Sequence, residues 1–457
     1  MKRILISLLI ISLGIVQLNG QEINTSVEKV YVVFKTHLDV GFTDLSSVVT
    51  QRYITEFIPK ALDVSEKLRA ENAGEKYVWT TGAWLIWKYL HTASPKEVER
   101  LEAAIRRGDI VWNSVPYTVE SESMNRDLFE TCLLLSHKLD EKYGKKTIAA
   151  KMTDVPGHTR SIVAPMSRAG IRFLHIGVNP ACPIPSVPEF CRWRDTDGSE
   201  LILVYQQDYG SENILPGGKA VISINFTGDN HGPHPYEKVK AIYADLHKRY
   251  PKARLIASSF NEIAEELIAM QDQLPVVTSE IGDTWIYGYG SAPVRMAKFR
   301  ALSELYSNWV REKKIDKNSD AALDFALELG LIAEHTQGVD VKTHLHNWDK
   351  YDTDLFLPAR STAPFRKAEA SWKELDDYIY NAIQYLPQNL QVEALAKMKE
   401  IDEPVVPSFT EKSQSVASTP WQAAVLKNDI LKIEGLSYQM YDAADYQHYL
   451  DNYLRAH

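Results

Sequence analysis

The sequence predicts an α/β fold, in which an incomplete β/α barrel of about seven strands precedes a helical module and the start of a β-domain. Between residues 30 and 270, short apolar runs rich in β-branched residues alternate with amphipathic helical patterns. After about residue 292 long helical patterns dominate, and from about residue 404 the chain is rich in Pro, Ser and Thr. The number of strand–helix units favours a closed or nearly closed barrel over a small open sheet. The predicted divisions are a signal peptide (1–20), a catalytic barrel (27–291), a helical module completing the site (292–400), and a linker with a truncated β-region (401–457).

The predicted strands are short apolar runs, and the predicted helices carry apolar residues at three- and four-residue spacing. The strands cover residues 30–36, 77–81, 109–113, 147–153, 172–177, 200–206, 221–226 and 254–258, with a further strand-like stretch at 423–435. The helices cover residues 51–70, 96–107, 126–142, 162–168, 236–249, 261–270, 293–313, 320–334 and 363–384. Asn125 is the expected N-cap of the third helix. In such folds the functional site lies at the C-terminal ends of the strands.

The composition is that of a soluble globular protein, with 45% hydrophobic and 24% charged residues. The net charge of -9 and the lack of a basic stripe exclude a nucleic-acid-binding surface. The 10 Trp and 23 Tyr residues are available either to fill the core or to stack on sugar rings.

The N-terminus has the pattern of a secretory signal peptide. Lys2 and Arg3 precede an apolar run over residues 4–16, and Gly20 offers a small residue for cleavage. We therefore expect a secreted or periplasmic protein with no membrane span after cleavage, and a retained anchor is the alternative.

The three cysteines, Cys132, Cys182 and Cys191, do not form the framework of a disulfide-rich domain. A bond between Cys182 and Cys191 remains open. Without a C-x-x-C motif, a metal site built on thiolates is not expected.

Two strand ends carry groups that suit a metal. His37 and Asp39 follow the first strand at positions i and i+2, so their side chains share a face. Asp154 follows a later strand and precedes the turn at Pro156 and Gly157, which suits a metal ligand or a nucleophile. The structural alternatives are a satisfied polar pair for His37 and Asp39 and a helix cap for Asp154.

Three further segments carry candidate groups. His335 ends a helical pattern and could be a metal ligand or a surface histidine, while His344 and His346 form a competing ligand pair. Asp229, in a turn-rich loop after a strand, suits a general acid. The structural alternative is that the Gly, Asp, Asn and Pro residues of this loop only form an ordinary turn. The loop over residues 282–289 is rich in aromatics and suits contact with a sugar.

Together these segments resemble the family-38 glycoside hydrolases, the zinc-dependent retaining α-mannosidases of the glycoside hydrolase/deacetylase β/α-barrel superfamily. The resemblance runs in order from about residue 30 to residue 340. It rests on an H-x-D-x-G-aromatic segment, an Asp followed by Gly-His, a Gly-Asp-Asp-like loop, a Gly-Asp-aromatic loop leading to Ser-x-Pro, and a late His before a small-residue turn. In this chain these are His37 to Phe42, Asp154 with Gly157 and His158, Gly228 to Asn230, Gly282 to Pro293, and His335.

The chain departs from the family pattern at several positions. Val40 and Phe42 replace the usual Pro and Trp, and Thr336 replaces an Asp that touches substrate hydroxyls. Asn230 replaces the second carboxylate of the Gly-Asp-Asp loop, where the family carries its general acid. Asp229 is the expected substitute.

The resemblance implies an exported glycoside hydrolase that acts on an oligosaccharide or polysaccharide by a retaining two-carboxylate mechanism. Zn²⁺, with Ca²⁺ as the second choice, is expected at four ligands, and Asp154 and Asp229 are the expected catalytic pair. The expected ligands are His37, Asp39, Asp154 and His335, and the expected substrate contacts are Phe42, Asn230, His158, Asp283, Trp285 and Tyr289.

Two alternatives stay open at this point. A zinc-dependent polysaccharide deacetylase would use Asp39 or Asp154 as a base and the metal to activate water. A non-catalytic glycan-binding relative is suggested by the Asn230 change.

Overall fold

The computed structural model describes residues 23–71, 74–182, 186–282, 285, 289–345, 352–403 and 442–453. These residues form strands and helices that alternate through the first part of the chain, followed by a helical part. The strands are β1 (Lys29–Lys35), β2 (Trp79–Gly82), β3 (Ile110–Asn113), β4 (Ala149–Asp154), β5 (Phe173–Val178), β6 (Phe190–Arg194), β7 (Glu200–Gln207), β8 (Glu212–Ile214), β9 (Ala220–Asn225), β10 (Arg254–Ser258) and β11 (Val276–Val277).

The helices of the first part connect the strands, and those of the second part pack on one another. They are α1 (Ser46–Arg52), α2 (Ile58–Ala70), α3 (Ala83–Thr92), α4 (Pro95–Arg107), α5 (Arg126–Tyr143), α6 (Val163–Arg168), α7 (Tyr236–Arg249), α8 (Phe260–Ile268), α9 (Pro293–Arg311), α10 (Asp320–Leu329), α11 (Val341–His344), α12 (Thr353–Ala359), α13 (Ala363–Gln384), α14 (Gln388–Asp402) and α15 (Ala443–Tyr453). A π-helical stretch, Tyr53–Phe57, joins α1 to α2.

The strands form two sheets that are mainly parallel. The first has the order β3-β2-β1-β9-β8, with β10 also paired to β1, and the second has the order β11-β6-β7-β5-β4. Only β8–β9 and β6–β7 are antiparallel among the described pairs. The sheets approach each other at β3 and β4, where Ser114 N donates to Ala149 O at 2.9 Å. No described strand pairing joins the two sheets, so closure of the strands into a barrel stays a prediction.

Most predicted elements are confirmed, with ends that shift by a few residues. The helices over residues 236–249 and 363–384 and the strand over 254–258 have the predicted bounds. Asn125 caps α5, since its Oδ1 accepts a hydrogen bond from Leu128 N at 2.9 Å. The predicted helix over 320–334 is shorter, because α10 ends at Leu329 and gives way to the 3₁₀ turn Gly330–Ile332.

Several elements were not predicted from the sequence. Helix α3 is one of them: four of its first five residues are hydrophobic and buried, so it has no clear amphipathic period. The antiparallel strand β6 was also missed, as was α14. The predicted strand at 423–435 lies outside the described residues, and the part of the C-terminal segment that is described beyond it is a helix, α15.

The two parts of the chain share one apolar core. Fully buried Trp79 and Trp193 belong to the strands, and fully buried Trp309 belongs to α9. Helix α10 packs against both α5 and α13, so it joins the helical part to the sheets. This packing fixes the segment that follows α10 against the strand ends.

The sequence also raised the questions of a disulfide bond, a signal peptide and a membrane span. Cys132 and Cys191 are buried free thiols, so the Cys182–Cys191 disulfide that the sequence left open is absent from the described residues. Residues 1–20, with the predicted signal peptide, lie outside that part of the chain. Among the helices that are described, none combines the length and the apolar character needed to cross a membrane.

Candidate metal and active site

The four predicted ligands come from three distant segments and meet at one point. His37 and Asp39 follow β1, Asp154 ends β4, and His335 lies after the turn that follows α10. All four are buried, and each offers a ligand atom within 4.8 Å of the ligand atoms of the others. We call these residues the four-residue cluster. It lies at the C-terminal ends of parallel strands, where the fold predicts a site.

The distances inside the cluster place two imidazoles around one carboxylate. Asp39 Oδ1 lies 3.0 Å from His37 Nε2 and 3.1 Å from His335 Nε2, and Asp154 Oδ2 lies 3.3 Å from His335 Nε2. Within the described residues, neither Nε2 has a hydrogen-bond partner of good geometry. Buried polar atoms that converge without proper hydrogen bonds need another partner, and nitrogen with carboxylate oxygen is a donor set that suits Zn²⁺.

A buried carboxylate behind His335 was not predicted. Glu334 Oε1 lies 2.7 Å from His335 Nδ1, on the far side of the ring from the cluster. Thr336 N donates to the other oxygen of Glu334 at 2.9 Å, which fixes this side chain. Burial lowers the pKa of His335, but Glu334, Asp154 and Asp39 together raise it well above its usual value. The contact with Nδ1 is short but is not aligned as a hydrogen bond in this structure. A carboxylate beside the second ring nitrogen is the kind of group that orients a metal-binding imidazole and strengthens it as a ligand.

Asp154 has an unusual backbone and two sets of partners. Its φ of +91° is in the left-handed region, which is costly for a residue with a side chain. Its Oδ1 accepts hydrogen bonds from Tyr209 Oη at 2.7 Å and Asn179 Nδ2 at 2.8 Å, while Oδ2 faces His335. Although burial raises the pKa of Asp154, the contacts with His335 and His37 lower it overall.

The alternative in which Asp154 caps a helix is wrong. The cap of the following 3₁₀ turn is Thr159, whose side chain accepts a hydrogen bond from Ser161 N. The strained backbone of Asp154 therefore serves to present the carboxylate to the cluster and not to begin a helix.

Asp229 faces the cluster from the neighbouring strand end. A parallel bridge pairs it with His37, and its Oδ1 lies 4.0 Å from His37 Nε2. Its side chain is 37% exposed, so it is the most solvent-accessible carboxylate next to the cluster among those described. Burial raises the pKa of Asp229, and Asp39 and Asp154 add to the rise, while His37 and His335 oppose it.

Asn230 points away from the cluster and holds the loop after β1. Its Nδ2 donates to Asp39 O at 3.1 Å and Gly41 O at 3.2 Å, and its Oδ1 accepts from Asp39 N at 3.1 Å. With a buried side chain engaged in this way, Asn230 acts on the position of Asp39. Asn230 thus has a structural role that the sequence did not predict, and its contact with substrate stays a prediction.

The other predicted substrate contacts differ in how far they are buried. Phe42 is 38% exposed beside the loop, and Trp285 is half-buried. His158 is fully buried, with Nδ1 3.2 Å from Ser121 Oγ, and burial lowers its pKa to about 3. Tyr289 donates to Ser123 Oγ at 2.8 Å. Asp283 lies outside the described residues.

His344, one of the competing histidine pair, is not part of the cluster. His344 ends the short helix α11 and lies near Asp44. His346 lies outside the described residues.

Two buried lysines beneath the cluster were not predicted. Lys151 Nζ donates to Thr36 O at 3.4 Å, and burial lowers its pKa to about 8 against the opposing effect of Asp39 and Asp154. Lys35 is fully buried, with Nζ 4.6 Å from the centroid of the Phe226 ring. The sequence did contain a signal for Lys35, since it lies two residues before His37 on a strand and therefore on the same face.

A buried glutamate also escaped prediction. Glu120 N donates to Ala333 O at 2.8 Å and His335 N donates to Thr118 O at 3.3 Å, which pairs the two segments as antiparallel strands. Glu120 therefore lies on the segment that holds the backbone on both sides of Glu334. Burial raises the pKa of Glu120 to about 8, although Tyr289 and His335 oppose the rise.

Comparisons with known proteins agree with a glycoside hydrolase-like fold. A family described as "Domain of unknown function (DUF5054)" matches residues 289–425, a range that includes His335. No curated protein matches the chain. Among solved structures, an alpha-mannosidase from Enterococcus faecalis V583 is similar at 14% identity and a TM-score of 0.54, over 81% of this chain and 43% of that chain.

A second solved structure, a protein in the Glycosyl Hydrolase Family 38 from Enterococcus faecalis, gives the same result. It is similar at 13% identity and a TM-score of 0.51, over 82% of this chain and 41% of that chain. The chain therefore spans about two fifths of the length of both structures. At such low identity the likeness shows the fold, and membership of family 38 stays a prediction.

Proposed function

We propose that this protein is a zinc-dependent, retaining glycoside hydrolase with α-mannosidase-like activity, built on a β/α barrel. The observation that carries the proposal is the four-residue cluster with Asp229 beside it. A metal-binding donor set and two carboxyl groups in opposite electrostatic surroundings are what such a reaction requires. The predicted signal peptide would export the enzyme, which supports a periplasmic or extracellular oligosaccharide or polysaccharide as its substrate.

The residues present suit zinc better than calcium. His37, Asp39, Asp154 and His335 would hold the ion, and two of these four donors are imidazole nitrogens. Ca²⁺ prefers six to eight oxygen ligands, which this donor set does not offer. When bound, the metal would coordinate adjacent hydroxyl groups of the sugar and orient its ring.

Asp154 is the proposed nucleophile. The hydrogen bonds from Tyr209 and Asn179 and the contact with His335 favour the ionised carboxylate. Its oxygen attacks the anomeric carbon, forming an ester bond while the glycosidic C–O bond breaks. Asp229, whose surroundings favour the protonated form, gives its proton to the leaving oxygen.

The second half of the reaction returns both groups to their first state. The Asp229 carboxylate takes a proton from water, and the water oxygen attacks the same anomeric carbon. The ester bond to Asp154 breaks, so that the product keeps its original anomeric configuration. Half-exposed Asp229 is well placed for this exchange of protons with solvent.

The test combines metal analysis with a screen of aryl α-glycosides on the purified protein. We expect about one zinc per chain, hydrolysis of an aryl α-mannoside with retention, and loss of both zinc and turnover in His37→Ala. A metal-free preparation that is fully active would contradict the proposed site. Release of acetate from acetylated polysaccharides, without glycoside cleavage, would contradict the proposed reaction.

A further inference from the structure

A second cavity, of about 400 Å³, lies at the start of α9, and no step of the proposed reaction uses it. Its walls come from the first turn of α9, from α13 and from the turn that follows His335. Its chemically distinctive lining residues are Arg295, Gln337, Trp372 and Asp376. The cavity thus combines one aromatic ring with planar polar side chains.

Trp372 presents its ring at this cavity and is held by the turn that carries His335. It is 39% exposed on α13, which is unusual for a tryptophan. Gly338 lies against the indole, because a Cβ at this glycine would lie only 2.8 Å from Trp372 Cδ1. The position of the ring is therefore tied to that of the metal-ligand segment.

Phe42 contacts the same turn from the side of the four-residue cluster. Its N donates to Gly338 O at 3.0 Å, and Asp340 N donates to Phe42 O at 2.9 Å. The backbone of Phe42 and the indole of Trp372 thus both contact Gly338. One belongs to the loop that carries His37 and Asp39, and the other to the cavity.

The polar groups of the cavity are fixed and compensate one another in charge. Arg295 is buried, and its Nε lies 2.6 Å from Asp376 Oδ1, while Nη2 donates to Trp372 O at 3.0 Å. Gln337 adds a half-buried amide, whose Nε2 makes long hydrogen bonds to Ile332 O and Glu334 O, both at 3.4 Å. Its Cα lies within about 7 Å of that of His335, two residues away. An aromatic face beside neutralised, hydrogen-bonding planar groups suits an uncharged sugar and not an ionic ligand.

We propose that this cavity is a second sugar-binding subsite, which takes a neutral hexose unit of the oligosaccharide whose reacting unit lies at the four-residue cluster. The proposal rests on the proposed function for the identity of the substrate. In it, Trp372 stacks on the sugar ring, and Arg295, Asp376 and Gln337 provide hydrogen bonds to its hydroxyls. The site therefore prefers oligosaccharides to single sugars.

The test measures equilibrium binding, so that it does not depend on turnover. The monosaccharides and α-linked trisaccharides of mannose, glucose and galactose are titrated into the full-length, zinc-loaded Asp229→Asn protein, whose metal ligands are intact, and into the same protein with Trp372→Ala. We expect at least one trisaccharide to bind more tightly than its monosaccharide. Trp372→Ala should weaken that trisaccharide about 3- to 10-fold, as expected for the loss of one aromatic stack, and leave the monosaccharide within about twofold.

Two controls distinguish the subsite from a general effect on folding. Trp372→Phe keeps an aromatic face and should recover most of the affinity. Tyr385→Ala removes a ring that is also 39% exposed but lies just past the end of the same helix, about 20 Å along its axis, and it should have no effect.

The outcomes separate this proposal from the proposed function. If no trisaccharide binds more tightly than its monosaccharide, or if Trp372→Ala weakens both equally, the subsite is disproved. If Trp372-dependent binding is found but the wild-type protein cleaves no glycoside, the subsite stands and the proposed hydrolase activity falls.

Discussion

Asp154 and Asp229 are two carboxyl groups at neighbouring edges of the same site, and their surroundings differ in almost every respect. Asp154 is nearly buried, strained at its backbone, and bound by Tyr209 and Asn179. Asp229 is partly exposed and has no comparable donor to its carboxylate among the described hydrogen bonds. The pKa is lowered for the first and raised for the second. The environment, and not the residue type, thus shifts the two pKa values in opposite directions, as a separate nucleophile and acid require.

The largest expected effect comes from Asp154→Asn, which should lower kcat for an aryl α-glycoside on the order of 10⁴-fold, because the amide cannot form the ester intermediate. Zinc content should fall as well, because the same residue would be a ligand. The measurement is steady-state kinetics together with zinc analysis on protein whose thermal unfolding has been checked.

Asp245→Asn is a matched control for that variant, because Asp245 is a half-exposed carboxylate on α7, outside the four-residue cluster, and its described contact is with Arg249 four residues along the same helix. It should retain both activity and zinc. Substantial turnover by Asp154→Asn would remove the proposed nucleophile and with it the contrast between the two carboxyl groups.

The next effect is that of Asp229→Asn, which should lower kcat/KM by roughly 10²- to 10⁴-fold while leaving zinc bound. The loss should be smaller for an aryl glycoside with a good leaving group, which needs less protonation. Because the acid must be protonated, wild-type kcat/KM should fall as pH rises through the raised pKa of Asp229. This alkaline limb should be absent from the variant, and its persistence would assign the acid to another group.

The comparison also shows how far a sequence can predict such a site. His37, Asp39 and Asp154 could be found because strand periodicity and a turn place them at strand ends, where parallel sheets gather side chains. His335 needed the family resemblance, since its segment meets the strands only through the packing of α10 between α5 and α13.

What the sequence did not indicate depends on tertiary contacts. The role of Asn230 could not be predicted, because its side chain bonds backbone groups of Asp39 and Gly41, which lie about 190 residues away along the chain. Glu334 is adjacent to His335 in the sequence, but its function depends on the direction in which the buried side chain turns. Lys151 and Glu120 have no local pattern that distinguishes them from surface charges, and only the fold buries them.

A smaller effect is expected from Glu334→Gln, which tests whether the Glu334 carboxylate strengthens His335 as a metal ligand. The amide is a weaker acceptor for the imidazole N–H, so zinc affinity should fall about 10- to 100-fold. Competition with a calibrated chelator measures this directly and without any substrate. Unchanged affinity would mean that Glu334 acts only through Thr336 and the backbone of the loop.

The smallest effect is expected from Tyr209→Phe, which removes one neutral donor from Asp154 and leaves Asn179 in place. A hydrogen bond to a charged group contributes about 1.5–3 kcal/mol, which corresponds to about 10- to 150-fold. Because the bond from Asn179 remains, the fall in kcat/KM should be near the lower end, about 10-fold. The sign of the pH effect follows from the lowered pKa of Asp154. Activity needs the ionised carboxylate and is lost as pH falls through that pKa; losing a donor raises the pKa, so the acidic limb should move to higher pH. Asp229 is untouched, so the alkaline limb should stay where it is. If both limbs moved together, the two carboxyl groups would titrate as one coupled pair, and their separate roles could not be assigned from their surroundings.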